Sequence, residues 1–339
     1  MKYLLMAAAA ASLVFPVQAQ EPTPIPSPGE IAAAAPAADW IAIAPSDLLV
    51  MDLTPDAAGK PRRVVIQLLP TPFSQGWIGN IRKLAAAHWW DGTSVNRVQD
   101  NYVAQWGDAT EKKPLPDGLA TVPEGDYVLP VSQPKMCAGR ALAVCQPAAN
   151  GLTSSDIRFS GAQSRDAYAG AVGFYRGWPV AADIQIQSIR PDAQAAGSTA
   201  WPIHCYGAVG VGRNMSPDTG SGAELYAVIG QAPRHLDRNI AVVGRVLVGI
   251  EHLASLPRGT GALGFYEEPG ERVPIKSIRL ATELPVSERP TFEYLSTDSA
   301  SFARYAGARA NRRDPFFIRP AGGADICNIP VPVRAVAAK

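Results

Sequence analysis

The chain has 339 residues, about two domains' worth by the usual length prior, and 47% of them are hydrophobic, so a sizeable core is available. Its 31 Lys and Arg stand against 30 Asp and Glu, a balance that lends no electrostatic support to nucleic acid or an anionic membrane as the main partner. The 31 prolines and 30 glycines are too many for a helical bundle, because both interrupt element interiors, and they point to a turn-rich, mainly β protein.

In chain order, Met1-Lys2 supplies a short positive start, Leu4 to Phe15 is an apolar run, and Pro16 breaks it before Val17-Gln18-Ala19. This is the pattern of a secretory signal peptide over residues 1–19, cut after Ala19. The alternative is a membrane anchor, but the apolar run falls short of the roughly 20 residues a bilayer span needs. No Cys follows the cut and no later segment is long and apolar enough to span. The mature protein is expected to be exported, most simply to a bacterial periplasm. Residues 20–45 contain the Pro/Ala-rich "EPTPIPSPGEIAAAAPAAD", expected to be a flexible or polyproline-like leader.

From Asp47 the texture changes. Asp47–Leu53 and Arg62–Leu69 read as strands joined by the turn-rich "TPDAAGKP". A helix follows, with Ser74 as its cap and Trp77, Ile81, Leu84 and His88 on one face. Thr93–Val98 and Tyr102–Gly107 are short strands around a tight turn at Gln99-Asp100-Asn101. Residues 109–206 are less regular and read as a long, partly structured insertion. Strand texture returns at Gly207–Gly212, Glu224–Ile229 and Ile240–Val248. Ile250, Leu253 and Leu256 share a face of a short helix, and Val273–Leu280 is a closing strand. In the tail Asp298 is expected to cap a helix over Ser299–Arg312. About eight short strands with two helices suggest a closed antiparallel barrel with a helix over each end.

Four cysteines, Cys137, Cys145, Cys205 and Cys327, allow three pairings. The favoured one joins Cys137 to Cys145 within a single loop-like stretch and Cys205 to Cys327, tying the tail to the body. A zinc site is the rival reading. It lacks C-x-x-C and H-E-x-x-H motifs, and the four His (His88, His204, His235, His252) are scattered, so neither metal nor cofactor is expected. Gly259 to Gly264 matches G-x-G-x-x-G, but a helix-like segment and Pro257 precede it where a dinucleotide site needs a strand. It reads as a plain glycine-rich loop.

Two blocks carry a resemblance. "VVIQLLPTP…NIRKLAAAHWWDGTSVNRVQDNYVAQWGD" (Val64 to Asp108) is similar to the cyclophilin-type peptidyl-prolyl isomerases. Asp91-Gly92-Thr93 matches the family's D-G-T, Asn96-Arg97-Val98 sits on H-R-V, and Asn101 to Asp108 sits on G-F-M-x-Q-G-G-D. "GSGAELYAVIGQAPRHLDRNIAVVGRVLVGIEHL" (Gly220 to Leu253) resembles the family's second block, in family order. The resemblance implies an eight-stranded barrel over residues 46–283, interrupted by the insertion at about 109–206, and a C-terminal extension over 284–339. It places Arg97 on the catalytic Arg and Gln105 on the Gln that binds substrate backbone. It places Tyr102, Val103, Tyr226 and Leu236 in the proline pocket. Period-two alternation puts Val103 and Gln105 on one strand face and Tyr102 on the other, so Tyr102 enters the pocket on the resemblance alone.

The departures are Asn96 for the family His, Ala223-Glu224-Leu225-Tyr226 for S-Q-F-F, Ile240 for a position often His, and Arg234-His235 near the Trp of cyclosporin-sensitive members. Glu224 is a candidate partner for Arg97. The expected activity is isomerisation of X-Pro bonds in unfolded or folding exported polypeptides. The alternatives are a non-catalytic proline-peptide-binding or chaperone module of the same fold, and an envelope scaffold acting through its insertion and tail.

Overall fold

The computed structural model describes residues 25–132, 152–153, 156–157, 166–183 and 198–336. The expected signal peptide (residues 1–19), Cys137 and Cys145 lie outside the described residues. The chain starts with helix α1 (Pro28–Ala33) and strand β1 (Trp40–Ala42), then the hairpin β2 (Leu48–Leu53) and β3 (Arg62–Leu68), helix α2 (Gln75–Ala86), and the hairpin β4 (Ser94–Val98) and β5 (Val103–Gly107). Five strands follow: β6 (Leu129–Ser132), β7 (Leu152–Thr153), β8 (Ala171–Tyr175), β9 (Trp178–Asp183) and β10 (Thr199–Pro202). Next come β11 (Ala208–Val211), β12 (Leu225–Val228), β13 (Val242–Val248), the one-turn helix α3 (Glu251–Ala254) and β14 (Val273–Leu280). The tail adds β15 (Phe292–Leu295), α4 (Ala300–Ala310) and β16 (Val333–Ala335).

Eight strands close into an antiparallel barrel in the order β11-β12-β5-β4-β14-β2-β3-β13, with β13 returning to β11. Period-two alternation explains its core. Leu49, Met51 and Leu53 of β2 and Val64, Ile66 and Leu68 of β3 point inward into one cluster with α2. Leu48, Val50 and Val65 point outward, yet are also buried, against Phe292 and Tyr294 of the tail. A strand covered on both faces reads as a continuous apolar run, as Leu48 to Met51 of β2 do.

Two details of α2 differ from expectation. Ser74 has left-handed backbone (φ 56°) and makes no side-chain cap bond; Gln75 instead folds its amide back to donate to Phe73 O at 2.7 Å. The helix ends at Ala86, so His88 lies beyond it and is exposed. Trp77, Ile81 and Leu84 do form the buried face. In the tail Ser299, not Asp298, caps α4, its hydroxyl accepting from Phe302 N at 3.0 Å.

Between β5 and β11 the chain builds a five-stranded sheet in the order β7-β6-β10-β9-β8. Tyr175 and Trp178 join the barrel core. Val172, Phe174, Ala181 and Trp201 form a second core with Leu295, Phe302 and Tyr305 of the tail. The supposed leader is folded from Pro28 onward. Helix α1 has a reciprocal Ser27/Glu30 capping box with Pro28 in its first turn, where a missing N–H costs nothing. The alanines that follow suit a helix, and β1 then pairs with β15 in a three-stranded sheet with β16. The Cys205–Cys327 disulfide, across 122 residues, ties the tail to the entry of β11. On the chain-entropy model such a loop is worth about 5 kcal/mol.

Candidate active site

A cavity of about 880 Å³ opens on the outer face of the barrel, and Arg97, Tyr102, Val103, Gln105, Tyr226 and Leu236 all line it. Register explains the grouping. Gln105 lies opposite Arg97 on one side and opposite Tyr226 on the other, and Tyr226 lies opposite Gly210. In β5 Ala104 and Trp106 fill the barrel while Val103 and Gln105 face out; in β12 Leu225 and Ala227 fill it while Tyr226 faces out. The register shifts between Val95 and Arg97. This bulge lets Val95 and Val98 both reach the core while Arg97 stays on the cavity face. Tyr102 precedes β5, next to Asn101 in its left-handed turn (φ 49°), so strand alternation does not govern it. Its ring stacks on His235, centroids 6.3 Å apart.

Each nitrogen of the Arg97 guanidinium donates one hydrogen bond. Nε donates to Leu263 O at 2.8 Å, Nη1 to Gln105 Oε1 at 3.1 Å, and Nη2 to Gln99 Oε1. The guanidinium lies over the Phe265 ring, 5.2 Å from its centroid, and 5.8 Å from that of Tyr102, a geometry favourable for a cation. Burial lowers its pKa from the usual arginine value, yet an arginine so placed keeps its charge. The glycine-rich run supplies this setting. Gly259 N donates to Val98 O at 2.9 Å. Gly264 (φ 80°) approaches so closely that a Cβ would sit 2.7 Å from Gln99 Cα. The run is thus a clasp that brings Leu263 O and Phe265 to Arg97, and neither residue was marked by the sequence reading.

Glu224 does not meet Arg97 directly; Gln105 stands between them, its Nε2 donating to Glu224 Oε2 at 3.4 Å. Burial pushes the Glu224 carboxyl up from its ordinary value, against hydrogen bonds from Gln105, Asn96 and the Asp108 backbone.

The opposite wall is held from behind. Tyr226 is buried, and its hydroxyl lies 2.9 Å from His204 Nε2. His204 Nδ1 lies 2.9 Å from Asp237 Oδ1. A carboxylate only accepts, so Nδ1 is the donor there. Asp237 Oδ2 accepts from Arg234 Nε at 2.6 Å, and the two Nη groups of Arg234 donate to Asp166 at 2.8 and 3.2 Å. Burial works to raise the Asp237 carboxyl, but the hydrogen bonds and charges of His204 and Arg234 outweigh it and hold it below the ordinary 3.8. The sequence offered no spacing signal for His204 or Asp166; Asp237 and Arg234 lay inside the second resemblance block without a role. Among the described residues no group of three or more His, Cys, Asp or Glu could hold a metal ion, and no helix is long and apolar enough to cross a membrane.

Residues 63–280 match the family model of the cyclophilin type peptidyl-prolyl cis-trans isomerase/CLD. The chain therefore belongs to the cyclophilin-type peptidyl-prolyl cis-trans isomerase family. No curated protein matches the sequence. Among solved structures, cyclophilin AquaCyp293 from Hirschia baltica is 21% identical, with a TM-score of 0.62 over 88% of this chain and 94% of that one. The shared fold thus extends beyond residues 63–280. A Cryptosporidium parvum cyclophilin type peptidyl-prolyl cis-trans isomerase, crystallised in the presence of the dipeptide Ala-Pro, is 11% identical over 68% of this chain and 98% of that one, with a TM-score of 0.34.

Proposed function

We propose that the cavity isomerises X-Pro bonds in exported polypeptides and so assists their folding. The observation that carries this reading is the pairing of Arg97 with Gln105 beside an apolar pocket. Prolyl isomerisation breaks no bond. Its barrier, roughly 18–20 kcal/mol, is the loss of amide resonance at the twisted state. The enzyme must bind the twisted imide more tightly than the planar one. Arg97 is the catalytic donor, hydrogen-bonding the prolyl carbonyl or the imide nitrogen as it pyramidalises. Gln105 holds the substrate backbone. Val103, Tyr226 and Leu236 enclose the proline ring with Tyr102 at the rim, and their apolar surface strengthens the field of the guanidinium. Export rests on the N-terminal pattern of residues 1–19 and agrees with the Cys205–Cys327 disulfide.

A second reading, a peptide-binding module without catalysis, is favoured by one observation: each guanidinium nitrogen of Arg97 already donates to a neutral oxygen of the protein. Exchange NMR on a short X-Pro peptide separates the two. The isomerase reading expects the wild type to accelerate exchange and Arg97→Ala to lose roughly 100- to 1000-fold. A wild type that binds the peptide without accelerating exchange leaves the binding module. N-terminal sequencing of the mature protein tests export, with Gln20 expected as the first residue.

A further inference from the structure

We propose that the inserted sheet region sets the shape of the proline pocket, with Asp166, Arg234, Asp237 and His204 acting in series as positioning residues for Tyr226. The inference rests on the pocket assignment above and extends it to residues that touch no substrate.

The chain of contacts starts outside the barrel. Asp166 lies in the segment between β5 and β11, 68 residues before Arg234, and takes both Nη groups of that side chain. Tyr168, two residues on, covers the same guanidinium, its ring centroid 5.1 Å from Arg234 Cζ. Arg234 passes the link to Asp237, and Asp237 to His204, which it grips twice, at the ring Nδ1 and at the backbone N–H, at 2.9 and 3.0 Å. His204 ends on the Tyr226 hydroxyl. The side chains of His204, Asp237, Arg234 and Asp166 are 0%, 3%, 3% and 3% exposed. Water therefore cannot substitute for a missing member, and a gap anywhere leaves a buried polar group without its partner.

The end point shows what the chain of contacts serves. Tyr226 sits in a buried cluster with Val103, Ala208, Val228 and Val242, which hold the ring by contact alone. Across the strand pair, Gly210 leaves the space the ring occupies; a Cβ there would come within 2.3 Å of its Cζ and Oη. The ring is thus admitted by one residue that has no side chain and anchored at its hydroxyl by His204. A pocket aromatic without a hydroxyl would need none of the four residues behind it. Here the anchor runs back to Asp166, so the placement of that residue is coupled to the wall against which the proline ring rests.

A double-mutant cycle on the full mature chain tests this with an X-Pro peptide, reading affinity by NMR titration and catalysis by exchange. Asp166→Asn is expected to weaken peptide binding or raise KM about 3- to 10-fold with kcat changed less, and to shift the ring resonances of Tyr226 and His204. Tyr226→Phe removes the hydroxyl. In that background Asp166→Asn should have no further effect on the peptide, because the link to the ring is already cut. The same fold-loss in both backgrounds, or unmoved Tyr226 resonances in Asp166→Asn, overturns the proposal. Should Asp166→Asn not fold, Asp166→Glu, which keeps the charge and displaces it by one methylene, replaces it in the same cycle with the same expectations. A wild type that binds peptide with this coupling but does not accelerate exchange overturns only the isomerase reading. A wild type that neither binds nor accelerates overturns both.

Discussion

The two walls of the cavity each hold a carboxylate, Glu224 partly buried and Asp237 buried, and the protein treats the two in opposite ways. Glu224, which lines the cavity beside Gln105, has neutral amides as its side-chain partners, and its partial burial raises its pKa. Asp237, behind the Tyr226 wall, meets a guanidinium and an imidazole, and its pKa is lowered. A buried charge with a charged partner is a fixed part of the architecture; one held only by neutral dipoles gives up its charge more easily. The Arg97 side is half-exposed and hydrogen-bonded to neutral oxygens that a substrate can displace. The Tyr226 side is sealed. The wall proposed to act on the reacting bond is the adjustable one, and the wall proposed to receive the ring is rigid.

The largest expected effects separate the walls most sharply. Arg97→Ala should lose roughly 100- to 1000-fold in exchange rate while unfolding in denaturant within about 1 kcal/mol of wild type, as a half-exposed side chain should. Asp237→Ala should do the reverse, costing about 3–5 kcal/mol of stability by leaving Arg234 and His204 without their shared partner. Equal stability losses in the two variants would mean that the two walls are equally rigid. Gly210→Ala comes next, at about 1–3 kcal/mol by overpacking against the Tyr226 ring, with peptide affinity falling alongside; denaturant titration and peptide titration read the two.

The smallest effects are in pH dependence. A raised carboxyl stabilises the fold below its ordinary value, 4.5 for Glu224, and that contribution is lost as pH rises through its folded value. Glu224→Gln should therefore be more stable than wild type at neutral pH. It should also be about 2- to 10-fold more active, since Gln105 no longer donates to a carboxylate. Wild-type activity should climb toward that of the variant as Glu224 protonates on acidification. Asp237 carries the opposite sign: its contribution is present above the ordinary 3.8 and lost as pH falls through its depressed value. Stability measured against pH should slope in opposite senses for Glu224→Gln and Asp237→Asn relative to wild type, and slopes of one sense would contradict the assignment.

The barrel was legible because its signals are local. β3 was expected at Arg62–Leu69 and ends at Leu68, and β14 matches its expected bounds. Alternation and turn residues specify such strands within a residue or two. Arg97 and Gln105 were legible because one short hairpin carries both and fixes their register. Composition misled at the N-terminus, where prolines and alanines suggested a leader but a capped helix packs on the tail.

What the sequence determined by itself, then, was the run of barrel strands, the family, and the one wall of the cavity that lies within a single hairpin. What only the tertiary structure decided was everything that depends on distant segments meeting. Phe265 reaches Arg97 across 168 positions of sequence because two glycines let the loop lie against β4. Asp166, His204, Arg234 and Asp237 come from three separate stretches, and no spacing announces them. Their pairing is enforced by burial, which leaves each polar group no alternative to the next, and burial is a property of the folded chain.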